Sequence, residues 1–291
     1  MSAQVMQFLA AGLTAGSIYA LVALGFSIIF NASRVLNFAQ GEFVMLGGMC
    51  AVSLLGMGLP LVPALIVAVL ATALAGLVLE RLALARGAQT SVMTMIIITI
   101  GASILLRGLA QLVWDKRIHV LPPLSGDRPI AILGATVLPQ SLWILGATLA
   151  IVVALRAFFL RTRVGKAMLA TSHNRLAAQL CGIDVRRVVM ASFGLAAALG
   201  AVAGVLVAPI TYTSYDVGVM LGLKGFAAAI IGGLGSFPGA IAGGLLLGVL
   251  ESFGAGFVSS AYKDAIAFAV ILLVMVIRPD GLLGELRADR V

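Results

Sequence analysis

The chain has 291 residues, of which 62% are hydrophobic and 10% charged, with a formal net charge of +8. Soluble domains carry about 25% charged residues, so a mean hydropathy of +1.15 excludes an ordinary water-soluble core. The basic excess does not signify nucleic-acid binding, because the Lys and Arg residues fall between apolar runs, where they orient membrane proteins.

About 20 apolar residues are needed to cross a bilayer, and the candidate spans are 5–30, 41–58, 61–79, 92–113, 141–160, 188–208 and 262–277. The N-terminal segment lacks a basic leader and a small-residue cleavage site, so it is read as a retained first helix. The apolar stretch 219–251 is too long for one span and too short for two. Its middle, Gly232-Gly233-Leu234-Gly235-Ser236-Phe237-Pro238-Gly239, should interrupt a helix, which predicts two half-helices folded back at membrane depth. The fold class expected is therefore an all-α polytopic membrane protein of about eight spans with broken helices, forming one transmembrane domain over 1–291. A weak internal repeat pairs Gly25-Phe26, Asn37–Gly41 and Gly47-Gly48 with Gly225-Phe226, Gly233–Gly239 and Gly243-Gly244.

The densest basic segment, with Arg161, Arg163, Lys166, Arg175, Arg186 and Arg187 against Asp184, belongs in the cytoplasm by the positive-inside rule. The tail, with Arg278, Arg287 and Arg290, joins it there. Parity then places Arg81 and Arg86 inside. It places 115–140, the N-terminus and the loop bearing Tyr212, Tyr215 and Asp216 outside. The two tyrosines suit an interfacial aromatic belt.

Within the basic loop 161–187, Ser172 or Asn174 can cap a short helix through Leu176 and Leu180, with Gly182 as its stop. The two leucines lie four apart and share a face, a small apolar knob that a partner groove could grip. A plain topology anchor or a lipid-touching helix explains the same composition.

Polar groups in apolar runs are the remaining candidates. Glu42, Lys224 and Glu251 are functional candidates because charge at membrane depth is costly. Lys224 and Glu251 sit near span ends, where long side chains usually snorkel to the headgroups. Asn37 and Gln40 share the stretch with Glu42, which suggests a wet cavity, although amides also serve as interhelical ties. The candidate path residues are thus Asn37, Gln40, Glu42, Lys224, Gly235, Ser236 and Gly239. Ser236 and Pro238 could instead simply shape the turn.

Cys50 and Cys181 fit neither a disulfide framework nor a metal site. His119 and His173 lack ligands at zinc spacing. A phosphate-binding Gly-x-x-x-x-Gly-Lys loop and a Gly-x-Ser-x-Gly elbow are both missing, so the energy for transport must come from outside this chain.

Several motifs now stand in order: Ser17-Ile18-Tyr19-Ala20-Leu21, Asn37-Phe38-Ala39-Gln40-Gly41-Glu42, Glu80-Arg81, Arg163-Val164-Gly165-Lys166-Ala167 and Gly182-Ile183-Asp184-Val185-Arg186-Arg187. They continue with Lys224-Gly225-Phe226-Ala227-Ala228, Gly232–Gly239 with Gly243-Gly244, Tyr262-Lys263-Asp264 and Pro279-Asp280-Gly281-Leu282-Leu283-Gly284. With them the chain resembles, over essentially its whole length, the LivH-type permeases of branched-chain amino acid ABC importers. The resemblance implies a bacterial inner-membrane subunit without a cofactor of its own. It would work beside a second LivM-type permease, two cytoplasmic ATPases that bind ATP and magnesium, and a periplasmic solute-binding protein. It also implies that Gly165, Lys166, Arg175, Leu176, Leu180, Gly182 and Asp184 belong to the ATPase-docking loop. Two departures stand out: Gln40 where the family usually has His, and Ser172-His173-Asn174-Arg175 where relatives are more acidic. Branches of the family that resemble carriers of urea, short amides and aromatic acids keep those solutes open. A secondary transporter or channel is the competing class, and it would need a better organised intramembrane charge relay.

Overall fold

The computed structural model describes residues 2–84, 91–132 and 134–284. The orienting residues Arg86, Arg287 and Arg290 lie outside the described residues.

The helices in chain order are α1 (Ser2–Ser33), α2 (Gln40–Gly56), α3 (Leu61–Leu79), α4 (Val92–Trp114), α5 (Pro139–Arg161), α6 (Arg163–His173), α7 (Arg175–Leu180), α8 (Val185–Thr211), α9 (Val217–Gly232), α10 (Phe237–Phe257) and α11 (Lys263–Ile277). A π-turn, Glu80–Leu84, extends α3, and a single 3-10 turn, Ser260–Tyr262, leads into α11. Among the described residues, seven helices are long and apolar enough to span a membrane, while α2 and α9 are shorter. The chain is a polytopic all-α membrane protein.

Helix α1 is the axis of the bundle. From Ile18 to Ile29 nearly every side chain is buried. The reason lies in its small residues. Gly12, Gly16 and Ala20 recur every fourth position and face Gly244 and Gly248 of α10, and a Cβ on Gly248 would fall 2.3 Å from the Gly16 nitrogen. With no side chain between them the two backbones touch, the small-xxx-small packing that replaces the hydrophobic effect inside a membrane. Helix α8 is the second central element, capped by Asp184, whose side chain accepts from the Arg187 amide. Helices α3, α4, α5 and α11 lie outside these two. They leave Leu70, Ile104, Leu149 and Val276 largely exposed, an apolar surface of the kind hydrocarbon solvates.

The region 219–251 departs from the half-helix expectation. Helices α9 and α10 form an antiparallel hairpin, with Gly243 of α10 against Ala228 and Gly232 of α9. Helix α10 has 21 residues, long enough to span. The break at 233–236 is not at mid-depth. It lies beside the last turn of α1, where the Asn31 Nδ2 donates to the Gly235 carbonyl at 2.7 Å. The tail straps it from outside, as Leu282 and Leu283 donate backbone bonds to Ile231 and Gly232. The repeat has no common conformation either: 233–236 is a tight turn, whereas 34–39 climbs back into the bundle.

The segment 115–140 holds a small hairpin that the sequence reading lacks, with Ile130–Ile132 antiparallel to Ala135–Val137. Gln7 of α1 clamps it through both main-chain groups of Thr136.

Candidate functional site

The return of the chain after α1 creates the polar interior. Gly25 faces the Gln40 side-chain amide so closely that a Cβ there would lie 2.1 Å from Nε2. Gly25 precedes the end of α1 by two turns, about 12 Å at 1.5 Å per residue. Helix α2 therefore starts deep in the bundle, and its first residues are buried although they open a helix. Asn37 Oδ1 accepts from the Ala39 amide at 3.2 Å and shapes this entry. Gln40 Nε2 donates to the Ala196 carbonyl of α8 at 3.0 Å. Asn37 and Gln40 thus act as a turn former and an interhelical tie.

Glu42, two residues on, is different. It reaches a cavity of about 160 Å³ whose polar wall it shares with Ser103 and Arg107 of α4. Ser103 Oγ donates to Glu42 Oε1 at 2.8 Å, and Arg107 Nε stands 3.6 Å from the same oxygen. Among the described residues Glu42 Oε2 has no hydrogen-bond partner. The Glu42 side chain is 2% exposed and that of Arg107 32%. Three rings form the apolar wall, with Phe226 at 5.6 Å from Phe26 and 5.5 Å from Phe38 between centroids. The mouth opens between α4 and α9, where Ile100 and Leu223 are more than a third exposed. Gly41 and Gly218 pack backbone to backbone behind Glu42, with a Cβ on Gly41 2.1 Å from the Gly218 oxygen.

A second ionic cluster occupies the opposite side of α9. Lys224 Nζ lies 2.7 Å from both Glu251 of α10 and Asp264 of α11, and Lys263 Nζ lies 3.3 Å from Glu251. The Lys224 ammonium also stands 5.7 Å from the centre of the Tyr19 ring of α1. Lys224 and Glu251 are 6% and 1% exposed. The expectation that they snorkel to headgroups is thus corrected. An ion pair across helices gives both buried charges a partner within the bundle, so neither has to reach the surface, while Asp264 and Lys263 beside them are about half exposed. Lys224 lies apart from the cavity wall, which takes Gly222, Leu223 and Phe226 from the other face of α9.

Gly235, Ser236 and Gly239 stand away from that wall as well. Ser236 Oγ caps α10 by accepting from the Gly239 amide at 3.1 Å. Gly235 holds φ +91°, and Gly239 packs on the Gly232 carbonyl. These residues build the inner turn of the hairpin.

In the basic loop, Thr162 caps α6 and Asn174 caps α7, accepting from the Ala177 amide at 3.0 Å. Ser172 instead bonds the Leu169 carbonyl within α6. Gly182, at φ +82°, ends α7 as its spacing predicts, and Ile183 donates back to Ala178. Leu176 and Leu180 are 67% and 81% exposed. Lys166 and Arg175 are exposed beside them. Gly165 is buried against Phe158 and Phe159, at the elbow where α5 meets α6. On the opposite side Tyr212 is half exposed, whereas Tyr215 packs near Met45, Met49 and Trp114. Asp216 accepts from Ser214 Oγ at 2.6 Å, and Thr213 forms a backbone bridge to His119.

The family model of the branched-chain amino acid transport system / permease component matches residues 8–275. The chain belongs to this permease family. The permease is 34% identical to the high-affinity branched-chain amino acid transport system permease protein BraD of Pseudomonas aeruginosa, over 98% of each chain. It is 34% identical to LivH of Escherichia coli K12, described in the same words, over the full length of both. The ribose import permease RbsC of Haemophilus influenzae is 27% identical, over 92% of the permease and 83% of its own chain.

Of the seven candidate path residues Asn37, Gln40, Glu42, Lys224, Gly235, Ser236 and Gly239, Glu42 is the one on this cavity wall, joined there by Phe26, Phe38 and Phe226 of the sequence motifs. Ser103 and Arg107 were missed. The signal was present, since a hydroxyl and an arginine four apart on one face of an otherwise apolar run mark a polar stripe at membrane depth.

Proposed function

We propose that this permease forms half of the translocation pathway of an ABC importer for branched-chain amino acids or similarly small amino-acid-like solutes. The cavity at Glu42 carries the reading: it is small, walled by rings, and holds three polar side chains within an apolar bundle, as small-solute sites do. The relatives named for branched-chain amino acid transport match the whole permease, which supports the solute class. The mouth between α4 and α9 would face a second LivM-type permease and close the path there. This chain would have no catalytic role. ATP and magnesium would bind two cytoplasmic ATPases docked on the 161–187 loop, and a periplasmic binding protein would deliver solute to the Tyr212–Asp216 side.

This assigns the permease to the inner membrane, with 161–187 and the C-terminus in the cytoplasm. Cys181 is exposed in that loop. In a Cys50→Ala background it should react with an impermeant thiol reagent only after permeabilisation, and Ser125→Cys should react on intact cells. The opposite pattern would invert the topology. The function is tested by reconstituting the permease with its neighbouring-gene partners and measuring ATP-dependent uptake of leucine, urea, acetamide and benzoate. Leucine should accumulate, and uptake without ATP would show a secondary transporter.

A further inference from the structure

Glu42 and Arg107 do not form the pair that a purely structural tie would favour. Their closest approach is 3.6 Å through Nε, outside hydrogen-bond range. The guanidinium shows no hydrogen bond among the described residues, although its planar fork matches a carboxylate bidentately. Glu42 in turn keeps one buried oxygen, Oε2, without a partner. A buried carboxylate and an underused guanidinium thus share one small cavity whose apolar wall combines three phenyl rings with Ile100, Val219 and Leu223.

We propose that Glu42 and Arg107 together form a zwitterion subsite. Arg107 takes the α-carboxylate of a free amino acid, Glu42 Oε2 takes the α-ammonium, and Phe26, Phe38 and Phe226 receive the apolar side chain. The inference rests on the amino-acid permease reading above and deepens it. Its physical basis is charge matching at membrane depth. A zwitterion carries no net charge but two full charges, and each needs a partner once water is left behind. Glu42 and Arg107 supply both at once, and the loosely held pair separates to admit them. A solute with a single charge leaves one protein charge unpaired, and an uncharged solute gains nothing from opening the pair. Rejection by unpaired polar groups is the strong form of selectivity. When the solute leaves, the two side chains neutralise each other again, so the site need not hold its cargo tightly. Ser103, bonded to Oε1, holds one carboxylate oxygen, while Oε2 lies against Gly218 on the cavity wall.

The test uses the assembled importer in proteoliposomes, driven by binding protein loaded with radiolabelled leucine at saturation. Glu42→Gln, Arg107→Gln and the double variant should each assemble and still show ATP hydrolysis stimulated by loaded binding protein. Uptake should fall roughly ten-fold or more, as expected when a buried partner of a charged group is removed, and Arg107→Lys should restore part of it. The double variant decides the matter, because it leaves no unpaired charge. If the pair merely ties α2 to α4, that variant would transport like wild type, which overturns the proposal. Loss of assembly together with uptake in the double variant also overturns it, in favour of a structural pair. Should the wild-type importer take up urea or acetamide but not leucine, the amino-acid reading itself falls. Leucine uptake by wild type and double variant alike would remove only the subsite.

Discussion

Glu42 and Glu251 are both buried carboxylates that meet a cation from a neighbouring helix, yet their surroundings give them different work. Glu251 shares Lys224 with Asp264, with two contacts of 2.7 Å and Lys263 at 3.3 Å, where Asp264 and Lys263 of α11 are themselves about half exposed. Glu42 meets Arg107 at 3.6 Å on the wall of a cavity open at one side. Among the described residues each carboxylate keeps one buried oxygen, Oε2, without a hydrogen-bond partner, so the two differ in their cations and not in that oxygen. The Lys224 cluster offsets desolvation by short contacts, whereas Glu42 is held by Ser103 with its guanidinium further off. Within one bundle, short ion pairs tie three helices together, and a longer pair borders a void.

The comparison breaks most sharply at Lys224. Lys224→Met leaves buried Glu251 and its neighbour Asp264 without their common cation, and one-sided removal of a buried pair costs about 3–5 kcal/mol. Folded permease should disappear from the monodisperse peak in size-exclusion chromatography of detergent extracts, while Glu42→Gln stays there. Equal recovery of the two variants would erase the distinction between fastening and binding clusters.

A smaller loss is expected where the same hairpin closes. A leucine at Gly239 meets the Gly232 carbonyl, where even a Cβ would sit 2.3 Å away. Overpacking of this kind costs about 1–3 kcal/mol, readable as a lower thermal unfolding midpoint of the purified permease. An unchanged midpoint for Gly239→Leu would mean that the hairpin is not clasped at that end.

Ser103→Ala should cost still less, about 1 kcal/mol for one hydrogen bond to a carboxylate that keeps Arg107 nearby. Leucine uptake should weaken more than stability does. If the melting temperature instead dropped as far as in Lys224→Met, Glu42 would be a fastening residue like Glu251.

Surface substitution gives the smallest effect on the permease itself. Leu176→Ala with Leu180→Ala removes side chains already in solvent, so the unfolding midpoint should not move. If these leucines anchor an ATPase, each is worth about 1.5–3 kcal/mol in the complex, and ATPase retention on an affinity column should fall. Full retention would leave the loop as a topology anchor.

Much of this was legible in residue order. The apolar runs mark the spans because only a helix can satisfy its backbone in hydrocarbon. Asn174 and Gly182 bound α7 because capping and positive φ are local demands. What failed was depth and partnership. Lys224, Glu251 and Asp264 lie on three helices, and no local pattern says that they meet. Arg107 resembles any basic residue near a span end until Glu42 is found across from it. The glycines of 232–239 announce a break, but its place beside the last turn of α1 depends on Asn31 and on the tail segment 280–284 packing there.

By itself, then, the sequence determined that this protein is a helical membrane permease of a known family. Composition, spacing and motif order are properties of the chain alone, and the bilayer's thickness and dryness convert them directly into helices. The tertiary structure alone decided which of its costly polar groups are spent on fastening and which face a cavity. That difference depends on the distances between helices, and those are set by glycine contacts such as Gly16 on Gly248 and Gly41 on Gly218, the second directly behind Glu42.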